Sequence, residues 1–327
     1  MIVPATAENI ARAANALLAG ELVAFPTETV YGLGANARDA AAVARLFTTK
    51  GRPAEHPVIV HLADADALPR WAKTIPAGAE ALARAFWPGP LTMILPRADG
   101  VLNAVTGGQA SVGLRVPAQP IAHALLAELA ALGCDGIAAP SANRFGRISA
   151  TTARHVADEF ADSIALILDG GPSRHGIEST IVDFSSGDPV VLRPGSITSS
   201  ELARVLGTAP RSAGPGATRA SGTLASHYAP RTPAKLLPRS ELLSALAGLG
   251  GSNAHISVLA HSVAQPPEFE GAWFDAPGES TPYAQQLYAN LRALDAREAD
   301  EIWIEAPPDG PDWVAIGDRL RRATHRD

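Results

Sequence analysis

Lys50 and Arg52 stand two residues apart at the end of an apolar-periodic stretch, with Gly51 between them and Pro53 behind. Ahead of that stretch, a short apolar strand over Leu22–Phe25 ends in Pro26-Thr27-Glu28-Thr29-Val30-Tyr31-Gly32-Leu33-Gly34. Hydroxyls, turn amides and two fixed cations in one neighbourhood suit a phosphorylated ligand. At a helix C-terminus the cations could instead complement the helix dipole, at about 0.3–1 kcal/mol each. The shaped turn implied by Gly51 and Pro53 favours the ligand. As turn cations both are expected to be exposed and to add little to stability. GxxxxGK[ST] and GxGxxG are both absent, so any phosphate is held without a Walker A loop or a dinucleotide fingerprint.

Further candidates follow. His61 closes a β-branched strand over Val58–Leu62; taken alone it reads as a structural histidine, and His56 has the same standing. Arg115 lies inside the apolar strand of Ser111-Val-Gly-Leu-Arg-Val-Pro117, where a buried cation needs an anionic partner. That partner is either an internal carboxylate or a ligand carboxylate. Ser141 and Asn143 sit two apart in a small-residue turn after a strand, where ligands of α/β sheets bind; they either cap the next segment or hydrogen-bond a substrate. Gly-x-Ser-x-Gly is missing, and no His/Glu spacing indicates a protein-ligated metal.

These residues need a scaffold. Ala7–Ala19 is helical and stops at Gly20, and Asp39 can cap a helix over Ala40–Thr49. Helices are also expected over Gly78–Phe86, Ile121–Leu132 and Ser196–Leu206. Strands are expected at Leu91–Leu95, Val112–Val116, Gly136–Ala139, Ile164–Leu168, Thr180–Phe184 and Val190–Leu192. Mixed strands and helices over residues 1–206 argue an α/β domain with a twisted, mixed sheet. Residues 207–233 are rich in Gly, Pro, Ala, Ser, Thr and Arg, and read as a linker. Residues 234–327 alternate short strands with helices, as in a smaller α/β unit of Rossmann-like type.

Composition narrows the function class. The chain has 327 residues, 46% hydrophobic and 18% charged, with a formal net charge of −6. Residues 1–207 carry 16 basic against 19 acidic side chains, so the first domain is no basic nucleic-acid clamp. The single cysteine, Cys134, rules out a disulfide framework and multi-thiolate zinc, and reads as a small buried hydrophobe. No signal-peptide pattern or membrane-length apolar run is present, so a cytoplasmic location is expected.

Together, Pro26–Gly34, Lys50-Gly51-Arg52-Pro53, Ser141-Ala142-Asn143 and Ser179-Thr180-Ile181-Val182-Asp183, in this order, resemble the threonylcarbamoyl-AMP synthases, the YrdC-like family. His227-Tyr228-Ala229-Pro230 and the unit behind it resemble that family's longer, two-domain form. The resemblance implies a nucleotidyltransferase that joins L-threonine, bicarbonate and MgATP into threonylcarbamoyl-adenylate and pyrophosphate. The product would pass to a tRNA-modifying threonylcarbamoyl transferase complex, for tRNAs reading codons that begin with A. Lys50, Arg52, Ser141 and Asn143 match the family's KxR and SxN signatures, with Lys50 and Arg52 as the catalytic pair. By position, Thr29, His61, Arg115, Ser141 and Ser179 look like threonine contacts, and Ser111, Asn143, Thr151 and Arg193 like ATP contacts. His56 stands where the family usually has an Asn, at a contact expected to reach a phosphate. Magnesium would be held through phosphates and water rather than side chains. The linker is expected to fold over the catalytic mouth as a lid, with Tyr228 near the nucleotide. Alternative readings are another carbamoyl-adenylate-forming enzyme, as in hydrogenase maturation proteins, and a double-stranded RNA or tRNA module making weak RNA contact.

Overall fold

The computed structural model describes residues 1–160, 162–249 and 255–325. The chain divides into two units. The first comprises residues 1–145 and 150–223, and the second residues 146–149 and 224–327.

In the first unit the elements run β1 (Ile2–Pro4), α1 (Ala7–Leu18), β2 (Val23–Phe25), β3 (Gly32–Asn36), α2 (Ala40–Lys50), β4 (Ile59–His61), α3 (Ala77–Phe86), β5 (Leu91–Pro96), α4 (Asn103–Thr106), β6 (Ser111–Arg115), α5 (Pro120–Ala131), β7 (Ile137–Ala138), α6 (Ala153–Phe160), β8 (Leu166–Asp169), β9 (Thr180–Asp183), β10 (Val190–Arg193), α7 (Ser199–Leu206) and β11 (Arg211–Ser212). All eleven strands join one mixed sheet, in the order β1-β8-β2-β3-β7-β4-β6-β5-β9-β10-β11. Its parallel pairs include β4–β6 and β5–β9; β5–β6 and β9–β10 run antiparallel. This is the twisted mixed sheet expected from the alternating pattern.

Register decides which side chains share a face. Ile59 lies opposite Gly113, His61 opposite Arg115, and Ile94 opposite Gly113. Side chains alternate along each strand. One face of the β4–β6–β5 strip therefore carries Ile59, His61, Ser111, Gly113, Arg115, Thr92 and Ile94. The other face presents Val60, Val112, Leu114, Met93 and Leu95 to the main apolar core, which Val43, Phe47, Leu82 and Leu202 complete. At about 25 cal/mol per Å² of buried apolar surface, that face anchors the sheet and leaves the other free for polar work.

Three strands (β1, β3 and β11) and two helices (α4 and α6) escape the sequence reading. The turn region Gly32–Asn36 is β3, antiparallel to β2 and β7. Its glycines admit close neighbours: a Cβ on Gly34 would stand 2.8 Å from Ile137 and 3.0 Å from Phe25. β1 pairs parallel with β8 at one sheet edge, and α6 was not foreseen. Helix α2 begins at an Asp39 cap and ends at Gly51 in the left-handed region (φ 64°), which turns the chain sharply after Lys50. The expected linker is partly built: β11 extends the sheet, and residues 213–223 remain with the first unit.

The second unit holds β12 (Ala234–Leu237), α8 (Arg239–Gly248), β13 (Ile256–Ala260), β14 (Ala272–Asp275), α9 (Ser280–Asp295), β15 (Glu301–Glu305) and α10 (Val314–Thr324). Its four strands are all parallel, in the order β12-β15-β13-β14. No described helix is long and apolar enough to cross a membrane.

Candidate active site

The site-face residues form linked clusters in the first unit. The first is built on His61 and Arg115, at the C-terminal ends of the parallel neighbours β4 and β6. Arg115 is 4% exposed. Its Nη2 meets Glu28 Oε1 at 2.5 Å, its Nη1 donates to Thr29 Oγ1 at 2.9 Å, and its Nε to the Gly89 carbonyl at 3.3 Å. The second Glu28 oxygen accepts the Ala118 amide at 3.1 Å. Of the two partners the sequence left open for Arg115, the internal carboxylate is present. Burial pushes the Glu28 carboxyl up, but the Arg115 charge, the Arg115 hydrogen bond and backbone amides together outweigh it and hold Glu28 below its ordinary value. Thr27 Oγ1 shares a hydrogen bond with Thr29 Oγ1 and caps the turn by bonding the Val30 carbonyl, which fixes Thr29 against the guanidinium. His61 is buried edge-on to Phe25, and its Nδ1 has no hydrogen-bond partner. Burial and the Arg115 charge depress it to about 3, so it is neutral at ordinary pH.

The second cluster surrounds Lys50 and Arg52, and it corrects the expectation of exposed turn cations: they are 2% and 7% exposed. The Gly51 turn points both side chains inward. Lys50 Nζ donates to the Ser141 carbonyl at 2.6 Å and to the Asn143 carbonyl, while the Phe145 amide donates to the Lys50 carbonyl. Arg52 donates to the carbonyls of His56 (3.3 Å) and Pro57 (2.7 Å) and faces the rings of Phe47 and Phe145. His56, in turn, packs edge-on against Phe145. Burial, then the neighbouring Arg52 charge, lowers Lys50 to about 7. Burial and Arg52 also lower His56. The Ser141–Asn143 turn is thus tied to the end of α2, and a bridge between Ser141 and Gly32 ties it to β3.

The third cluster runs along β5, β6, β9 and β10. Ser179 Oγ and Thr92 Oγ1 lie 2.8 Å apart. Arg193 grips Ser179 through its carbonyl (3.1 and 3.0 Å) and hydroxyl (3.1 Å), and donates to the Ser221 carbonyl at 2.8 Å. Beside them a small cavity of about 20 Å³ is floored by Ile59, Thr92, Ser111 and Gly113 and roofed by Arg219, Ala220 and Ser221. A Cβ on Gly113 would meet only ordinary contacts, at 3.5 Å from Ile59, so the glycine keeps the floor open. The roof is fastened by Arg219 to Gln109 and Gly107, and by Thr218 to Asp183. Thr151 joins from a separate turn, with its amide and hydroxyl 3.3 Å from His155 Nδ1 and its carbonyl accepting from Ser173.

Tyr228 lies in the second unit. It is buried, with positive φ (60°), stacked on Tyr288 at 5.6 Å and beneath the Arg319 guanidinium. Sequence reading missed Glu28 and Thr92 as partners of named site residues, and also the roof over Gly113. Glu28 carried a signal, since a carboxylate next to Thr29 is a ready counterion for a strand Arg. Thr92 carried none.

Residues 15–195 match the Sua5/YciO/YrdC family, described as telomere recombination. Residues 197–324 match the threonylcarbamoyl-AMP synthase C-terminal domain. The chain belongs to the threonylcarbamoyl-AMP synthase family, in its long two-domain form. It is 38% identical to the threonylcarbamoyl-AMP synthase of Pyrococcus abyssi over 95% of this chain and 93% of the relative. It is 37% identical to that of Bacillus subtilis over 96% and 92%. Among solved structures, the Pyrococcus abyssi Sua5 complexed with L-threonine superposes with a TM-score of 0.89 at 37% identity, covering 97% of this chain and 94% of that one.

The buried Lys50 gives a stability prediction. Its amine titrates near 7 when folded and near 10.5 when unfolded. Between those values the unfolded chain holds the extra proton, so stability rises as pH increases from about 7 to 10.5. Lys50→Met is expected to flatten this rise, which is on the order of a few kcal/mol. Chemical denaturation from pH 7 to 10 checks it, and parallel profiles for parent and variant would refute it.

Proposed function

We propose that the first unit makes threonylcarbamoyl-AMP from L-threonine, bicarbonate and MgATP, as a nucleotidyltransferase. The observation that carries this reading is the pairing, within one sheet scaffold, of a buried Arg115–Thr29–His61 pocket with a separate buried cation pair, Lys50 and Arg52. Adenylation of a carbamate needs no protein nucleophile. It needs two anions held together against their repulsion, and charge stabilised on a phosphoryl group.

In this scheme Arg115 and Thr29 hold the threonine carboxylate, with His61 and Ser179 completing the pocket. Arg115 keeps donor capacity beyond its internal bonds, since a guanidinium has five N–H groups. The threonine amine, carboxylated by bicarbonate-derived CO₂, presents a carbamate oxygen to the α-phosphorus of ATP. The new P–O bond forms as the bond to the bridging oxygen of the β-phosphate breaks, and pyrophosphate leaves with that electron pair. Lys50 and Arg52 neutralise the departing charge. An anion beside Lys50 would restore its proton, so binding near neutral pH draws one from solvent. Ser141, Asn143, Thr151, Ser111, His56 and Arg193 orient the nucleotide. Magnesium would enter with ATP and offset phosphate charge, with no side chain of this chain assigned to hold it. The acyl-adenylate then passes to a tRNA-modifying transferase.

Purified protein is expected to release pyrophosphate from ATP only when L-threonine, bicarbonate and Mg²⁺ are all present. Equal turnover without threonine would overturn the reading.

In the same reading residues 207–223 act as a lid that keeps water from the mixed anhydride. Support comes from the fastening of residues 218–221 above the sheet face. Limited proteolysis within 207–223 is then expected to slow by about tenfold when threonine and ATP are added together, as closure lowers the open population. Cleavage indifferent to both ligands would leave this segment a tether.

A further inference from the structure

The pocket around Arg115 is electrically balanced before any ligand arrives. Arg115 brings one positive charge and Glu28 one negative, 2.5 Å apart and both almost wholly out of water. Two imidazoles, His61 and His175, also stand against the pair, and at Ser179 a second buried cation and carboxylate, Arg193 and Glu178, add formal charges that cancel. His61 packs at the next strand in register, and the His175 amide donates to the Glu28 carbonyl. Burial lowers the pKa of both imidazoles, so neither adds charge near pH 7. The His61 Nδ1 is then a neutral, buried polar atom without a hydrogen-bond partner. Burying a net charge is far more costly than burying a balanced set. A pocket of net charge zero therefore takes a zwitterion at little electrostatic cost. A plain carboxylate of the same shape would leave it with an uncompensated negative charge.

We propose that Glu28 is a specificity-determining positioning residue, which acts through Arg115 to make the pocket select an amino acid carrying its ammonium over the same carboxylate without one. This rests on the reading of the Arg115–His61–Thr29 pocket as the amino-acid site. Glu28 has two tasks there. It cancels the Arg115 charge, and it holds one guanidinium nitrogen so that the fork meets Thr29 and the ligand at a fixed angle. The Ala118 amide on its second oxygen keeps the carboxylate from rotating away. A structural ion pair alone would not set this selectivity; the balance of charges does.

The test compares L-threonine with 3-hydroxybutyrate, the same skeleton without the ammonium, by calorimetric titration into the full chain. The parent is expected to prefer threonine by about 100-fold, the scale of an uncompensated buried charge. Glu28→Gln keeps the shape and removes the charge, so the preference is expected to narrow by about tenfold, with ATP affinity within about twofold of the parent. Glu28→Asp keeps the charge and is expected to keep the preference while weakening both ligands together. A folded Glu28→Gln protein with the parent's preference would overturn the proposal. So would a parent that binds both ligands equally, which needs no variant to fold. A parent that binds ATP but not threonine would overturn the underlying reading of the pocket instead.

Discussion

The buried pair of Glu28 and Arg115 is the constraint around which the first unit is organised. A guanidinium inside an apolar strand cannot stay there without a counterion, and a carboxylate at that depth cannot stay charged without a cation. Each makes the other possible. The pair also reaches across the chain, from the turn after β2 to the end of β6, so the turn carrying Thr27, Thr29 and Tyr31 is held where the sheet needs it. From there order spreads: the Tyr31 amide and carbonyl bond Ala150 and Ala142, and the Ser141–Asn143 carbonyls receive Lys50.

Two kinds of cation site result, and they differ in what balances them. Arg115 is neutralised by a carboxylate of the protein. Lys50 and Arg52 donate to backbone carbonyls, Arg52 also faces two aromatic rings, and the two cations repel each other. The first pair is neutral in itself. The second places two like charges side by side, so an anion reaching them would relieve their repulsion. That difference suits a reaction that brings a zwitterionic amino acid to a polyanionic nucleotide.

Much of this was legible in the sequence, for physical reasons. Helices closed at Gly20 and Gly51 where glycine relieves a left-handed turn. Apolar runs became strands, and the ordered short motifs marked residues that the fold gathers around Arg115, Lys50 and Ser179. β3 was hidden because Gly32 and Gly34 weaken strand propensity, while their lack of side chains serves close packing against Phe25 and Ile137. The burial of Lys50 and Arg52 was misjudged because charge suggests exposure, and only the three-dimensional turn after α2 points them inward. Ser111, Thr92 and Arg115 share a face through register, which is a long-range property. The roof at residues 218–221 had no local signature, since small and polar residues fit a tether and a fastened strap equally well.

The central claim is that Arg115, already paired, still presents its fork to the amino-acid carboxylate. The most direct measurement is the set of side-chain ¹⁵N resonances of Arg115 in the labelled protein, assigned by their loss in Arg115→Lys. Saturating L-threonine, with no nucleotide present, is predicted to shift and sharpen them, while ATP alone leaves them in place. Arg115 resonances unchanged at threonine saturation would contradict the account.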